Sequence, residues 1–302
     1  MARSGTGRGA SAVPTEIQQR MLKQLQNVTD DIRRMTGATG WDRAVLRDLH
    51  VTADLLDELV HEIGIPERWI THVRALGNAG TRWTASQQLP AGRAEGREQQ
   101  LARLHAQVDQ LFEMTALQTV YRGRRGVIEP VLAERFDALQ RLQWVRVAMV
   151  ARALNVTRAE VGTRWSSDPR RWTALLEKSR EVRPAELSKR WKAATSALVV
   201  SRARTRYNAL ASAGLDPSGA PAPPHPHELN VAAETAWRAT NAAEGARHAG
   251  PATTAEGERG ARIAEAVDAA APEHSGAEVT DTDNPAPAST AEIPQPHSEI
   301  EP

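Results

Sequence analysis

Two kinds of side chain in this sequence carry candidate chemistry: arginines, which bind anions, and histidines, which bind metals or move protons. Lysine occurs only at Lys23, Lys178, Lys189 and Lys192. With the abundant alanine, this matches the bias of a high-GC bacterial genome, so arginine abundance alone means little. Its distribution means more. Residues 1–140 hold 18 Lys and Arg against 17 Asp and Glu, residues 141–207 hold 16 against 5, and residues 208–302 hold 4 against 15. Codon bias raises arginine everywhere; it does not gather it in one block. Such a block beside an acidic segment points to a polyanion-binding region.

The histidines give less. His50, His61 and His72 fall at a spacing that would align them on one continuous helix, but Gly64 and Pro66 interrupt it. No metal site is expected there, and His225 and His227 have no partner cluster. With no cysteine in the chain, disulfides, thiolate zinc sites, iron–sulfur clusters and cysteine nucleophiles are excluded. There is no phosphate-binding glycine loop, metalloprotease motif or nucleophile elbow. The sequence therefore reads as that of a non-enzyme, with no cofactor and no small-molecule substrate.

Inside the basic block, Val150 to Val161 has a distinctive order of residue types. Asn155 is a residue type that tolerates the left-handed conformation. Thr157 followed by Glu160 is a capping box, which marks a helix start. Small Ala151, turn residue Asn155, apolar Val156, capping Thr157 and apolar Val161 together resemble the motif of bacterial helix-turn-helix DNA-binding proteins. Asparagine stands where glycine is commoner. Arg164 stands where an apolar residue is usual, with Trp165 beside it to fill that space.

The resemblance implies a second helix running from Thr157 to about Trp165, lying in the major groove of duplex DNA. Val156 and Val161 would face the core. Thr157 would cap the helix, and Arg158, Ala159, Gly162, Thr163 and Ser166 would face the DNA. Arginine can donate two hydrogen bonds to guanine, and Gly162 permits close approach. Arg164, Arg170 and Arg171 would lie near phosphates. Lys189, Arg190 and Lys192 would extend the basic surface along a long helix from Pro184 to Leu210.

The elements that must position these residues are helices throughout. Apolar residues recur at three- and four-residue spacing from Pro14 to Met35, from Trp41 to Ile63 with a possible break near His50, and from Pro66 to Gly77. A long helix follows from Arg97 to Val120, where Leu101, Leu104, Val108 and Leu111 form a heptad-like run that suits a helical hairpin or a homodimer seam. Tyr121 to Gly126 reads as a basic loop. The Gly64-Ile65-Pro66 turn is a second helix-turn-helix candidate, but Asp57, Glu58, Glu62 and Glu67 flank it and would repel phosphate, so it reads as a structural junction.

The expected architecture is an all-α multi-helix bundle with a disordered C-terminal tail. Its regions are 1–13 disordered, 14–88 helical, 93–140 a long helix or hairpin, 141–212 basic, and 213–302 a disordered acidic tail rich in proline and alanine. Within the tail, Glu228 to His248 could form a transient helix. Residues 1–13 do not read as a signal peptide, and no apolar run of about 18 residues occurs, so a cytoplasmic location without membrane contact is expected. The leading functional expectation is a DNA-binding protein, either a transcriptional regulator or a DNA-handling accessory of a plasmid or phage. The alternative is a helical scaffold or adaptor that binds an acidic protein partner. The opposed charges of block and tail also suggest a tail that competes with DNA.

Overall fold

The spacing of apolar residues along the first stretch produces α1 (Glu16–Gly37), which buries Met21, Leu22, Leu25 and Val28. In this computed structural model, which describes residues 13–37, 42–93 and 95–248, its start is fixed by a reciprocal pair. Thr15 N donates to Gln18 Oε1 and Gln18 N to Thr15 Oγ1, satisfying amides that the first turn leaves free. Then α2 (Arg43–Glu62), capped by Asp42 on Ala44 N at 2.7 Å, runs unbroken past His50. After the turn at Gly64 comes α3 (Glu67–Asn78). Both α2 and α3 pack on α1. A Cβ on Gly77 would lie 2.7 Å from Gln26 O, so glycine sets how closely α3 approaches α1. The loop beyond α3 is tied back by Gln26 Nε2 on Thr81 O (2.8 Å) and Trp69 Nε1 on Pro90 O (2.7 Å).

The long helix α4 (Arg97–Arg125) continues through the segment expected to be a basic loop and ends at Gly126, φ 74°. Gly123 stays helical, and its missing Cβ makes room for Trp237, whose ring lies 2.5 Å from where that atom would be. The heptad-like stripe expected as a self-association seam is buried within the chain: Leu104, Val108 and Leu111 are each 1 % exposed. That stripe is not available for a homodimer.

Next come α5 (Pro130–Ala153), the single-turn α6 (Arg158–Val161), a 3-10 turn over Gly162–Trp165, and α7 (Pro169–Arg180), capped by Asp168. The long helix expected from Pro184 to Leu210 is two helices. They are α8 (Pro184–Ala194) and α9 (Ala197–Ser212), divided where Ser196 Oγ caps Val199 N at 3.3 Å. Trp191 is fully buried and stacks on Tyr121 of α4 and Phe136 of α5, with centroids 4.8 Å away in each case. Offset aromatic stacks of this kind add to what area burial alone supplies.

The expected boundary of the tail needs correcting. Ala213 and Leu215 are buried, and α10 (Pro226–His248) follows, with Leu229 and Ala233 fully buried in the same core. Its alanines hide a usable stripe: Leu229, Ala233 and Trp237 recur every fourth residue, on one face. The described residues up to Arg247 belong to one compact unit. The rest of the expected tail, 249–302, lies outside the described residues, as do residues 1–12. The described residues contain no strand, and none of their helices is long and apolar enough to cross a membrane.

Candidate nucleic-acid interface

At the end of α5 the chain turns by way of three backbone hydrogen bonds: Leu154 N to Val150 O, Asn155 N to Arg152 O and Val156 N to Ala151 O, each 2.9 Å. Asn155 takes φ 49° and is the non-glycine residue with positive φ among the described residues. Val150, Ala151, Leu154 and Val156 are all buried, so the turn is seated on the core. Thr157 then caps α6. Glu160 N donates to Thr157 Oγ1 (3.4 Å) and Thr157 N to Glu160 Oε2 (2.8 Å).

The helix expected to run from Thr157 to Trp165 does not form as one piece. Gly162 takes φ 51°, outside the range of a right-handed helix, and ends α6 after four residues. This bend lets Trp165 turn inward, where it is 5 % exposed. No residue of α6 itself is buried.

What holds α6 is a residue with no signal in the local sequence. Arg97, at the start of α4, clasps Glu160 with two charge-assisted bonds, Nε to Oε1 at 2.7 Å and Nη2 to Oε2 at 2.8 Å. Its other donors reach the carbonyls of Leu154 and Asn155. One guanidinium therefore ties the turn and the short helix to α4. Hydrogen bonds from Arg97, and then from the Thr157 backbone, bring the Glu160 carboxyl down to about 2.

Thr157, Arg158, Ala159, Gly162, Thr163, Arg164, Ser166 and Arg170 are exposed or half-buried at the surface. The side chains of Arg158 and Arg170 have no partner among the described residues. Arg164 lies 3.2 Å from His105 Nδ1; since a guanidinium only donates, that nitrogen accepts. Burial, and then the charge of Arg164, lower the His105 pKa and so favour this neutral form. Arg171 is engaged within the chain. Its guanidinium lies 3.5 Å from the centroid of the Phe112 ring, pairs with Asp109 at 2.6 Å and donates to Arg164 O. It is an internal brace.

The basic block is laid in order along the length of α4, its contacts winding round the helix because each four-residue step turns by about 40°. Arg97 meets Glu160, His105 meets Arg164, Asp109 meets Arg171, Glu113 meets Lys178 and Tyr121 meets Trp191. From Arg97 to Tyr121 is about 36 Å at about 1.5 Å per residue. Lys189, Arg190 and Lys192, on α8, are exposed and therefore lie toward the opposite end of α4 from Arg158. Arg190 pairs with Glu186; Lys189 and Lys192 have no partner among the described residues.

Much of the block's charge is matched by carboxylates distant in sequence. Arg146 lies 3.5 Å from Glu62, and Lys178 lies 3.1 Å from Glu113. Arg180 pairs with Glu244 and Arg206 with Glu58. Burial pushes the Glu62 carboxyl up and the Arg146 guanidinium down, partly offset by their mutual attraction. The exposed cations of the block without a partner among the described residues are fewer than the sequence count, and they are spread over it: Arg141, Arg158, Arg170, Arg183, Lys189, Lys192, Arg202 and Arg204. Among the described residues, no cluster of three or more His, Asp or Glu could hold a metal ion. Compared with known protein families, curated proteins and solved structures, the chain matches none.

Proposed function

We propose that this chain binds duplex DNA through the Thr157–Arg164 arm, with Arg170 and the α8 lysines on phosphates. The observation that carries the reading is an exposed, unpaired Arg158 on a short helix that Arg97 holds rigid. A preordered donor loses less entropy on binding than a mobile one. The layout along α4 supports a duplex as the partner, because its length of about 36 Å is close to one turn of B-DNA. Since α6 is one turn long, Arg158 and Thr163 read few base edges, and most contacts go to phosphates. Transcriptional regulation and plasmid or phage DNA handling both fit this surface, as does a cytoplasmic location.

The test is binding to random and to selected duplexes as salt is raised. A steep salt slope with a short sequence preference supports the reading. Arg158→Ala then relaxes the preference, whereas Arg170→Ala weakens all sequences alike. A slope without preference reduces the arm to a phosphate clamp, and absence of binding near physiological salt overturns the reading.

A further inference from the structure

Away from the DNA-facing arm, α5 and α9 leave an unfilled hollow between them. They run side by side in the same direction: Trp191, just before α9, stacks on Phe136 near the start of α5. Farther along, Arg146 and Arg206 both act on Glu62. The hollow has a volume of about 350 Å³ and is floored by Ala138, Leu142 and Val145 of α5, Tyr207 of α9, and Pro217. Val131, on the same side of α5, is 49 % exposed. The positions 131, 138, 142 and 145 lie on one face of α5 and extend for about 21 Å, about four helical turns. Glu134 and Arg135 separate Val131 from the rest, so the continuous apolar strip runs from Ala138 to Val145, about 10 Å or two turns, and is open rather than a closed ligand pocket.

The charges around the strip are mostly basic. Arg141 and Arg204 line the hollow, and Arg135 lies on the same side of α5. All three are exposed, with no partner among the described residues. Arg146 and Arg206, on the same two helices, turn inward to Glu62 and Glu58. Asp216, next to Pro217, is occupied by Ser218, which leaves Glu134 as an acidic residue near this face. A second copy of the chain packed on the strip would set arginine against arginine, which disfavours self-association.

We infer that the α5–α9 groove docks an acidic amphipathic helix of a partner protein. The partner's leucine-like side chains fill the strip at three- and four-residue spacing, and its carboxylates face Arg135, Arg141 and Arg204. This site is separate from Arg158 and does not depend on the DNA reading.

The experiment uses the full chain and a labelled peptide of about five turns, with leucine at helical spacing flanked by glutamate, followed by fluorescence anisotropy. A second peptide carries lysine in place of every glutamate. The glutamate peptide is expected to bind with a Kd in the range of about 10–100 μM, and the lysine peptide at least about tenfold more weakly. Leu142→Asp, at a half-exposed position, weakens the glutamate peptide at least about tenfold. The pair Arg141→Glu with Arg204→Glu inverts the preference between the two peptides. Arg43→Glu, on α2 and outside both the groove and the DNA-facing arm, leaves both affinities unchanged, and far-ultraviolet circular dichroism checks that each variant is folded. Equal binding of the two peptides, no binding of the glutamate peptide, or indifference to Leu142→Asp in a folded protein overturns the proposal. So does a concentration-dependent dimer of the wild-type chain that Leu142→Asp abolishes, which would assign the groove to a second copy.

Discussion

At Gly64 and at Asn155 the chain leaves a helix by the same three hydrogen bonds. Ile63, Gly64 and Ile65 donate to Leu59, His61 and Val60, just as Leu154, Asn155 and Val156 donate to Val150, Arg152 and Ala151. Both turn residues have positive φ, and both succeeding residues, Ile65 and Val156, are buried. Beyond the turns the two segments part ways. After Gly64 comes a helix of 12 residues that buries Trp69, Ile70 and Val73. After Asn155 comes a helix of 4 residues that buries none. Counted from the turn, Val73 corresponds to Arg164 and Thr71 to Gly162. An apolar residue at the first place and a helix-compatible residue at the second let α3 continue into the core; arginine and glycine stop α6.

The cations of the two arms differ in the same sense. On α3, Arg74 pairs with Asp57 at 3.0 Å and Arg68 donates to Ala91 O; on α6, Arg158 has no partner among the described residues. Identical turns thus serve one arm that stabilises the bundle and one that the bundle merely holds in place. A helix-turn-helix pattern in sequence reports the turn, and the residues beyond it decide the use.

The contrast can be broken most severely at Trp69. Trp69→Ala should cost about 3–5 kcal/mol, read as a lower urea midpoint for the whole chain; a change under about 1 kcal/mol would mean that α3 is not part of the cooperative unit. Next in size is Gly64→Val, which forces a β-branched side chain to φ 73° and should cost about 1–2 kcal/mol. Asn155→Gly should shift stability by less than about 0.5 kcal/mol, since glycine accepts the same φ.

Smaller still for the fold, but specific for the second arm, is the effect of acid on the clamp. The Glu160 pKa is lowered in the folded protein to about 2, so its contribution is present above the unfolded value and is lost as pH falls from about 4.5 toward 2. Hydrogen exchange corrected for the intrinsic pH dependence should show the amides of Asn155 to Val161 opening in that window, ahead of those of α3. Arg97→Ala should shrink this pH dependence to the part that the Thr157 hydrogen bonds supply, and leave the arm looser at neutral pH. Uniform loosening of both arms would show that the clamp is not local. The least effect on stability is expected for Arg158→Ala, within about 0.5 kcal/mol by urea denaturation, even though it is the residue on which the proposed reading of DNA depends.

The helices and the chemistry of the second turn are legible in the sequence because they are local. Spacing gives α1 to α4, Asn155 suits a positive φ, and Thr157 with Glu160 makes a cap within one turn. The break at Gly162 is harder to see, because a glycine inside a helical pattern is often tolerated. Arg97 gives no sign of its role, since its partner Glu160 is 63 residues away. The same distance effect explains the overcounted charge: Arg206 is matched by Glu58, 148 residues earlier. The last helix imitates disorder because its many alanines and the prolines before it dilute the apolar signal, while Leu229, Ala233 and Trp237 still form a continuous contact stripe.

That last helix has a consequence for how the protein is made and shortened. Trp237 fits against Gly123, Asn230 meets Gln140, and Arg180 reaches Glu244. During synthesis the recess at Gly123 must therefore stay open until more than a hundred further residues have left the ribosome. Over that interval the nascent chain shows an unfinished apolar surface of the kind that invites chaperones or aggregation. Truncation at Ala213 recreates this immature state permanently, whereas a cut beyond Arg247 removes acidic sequence and spares the closing helix.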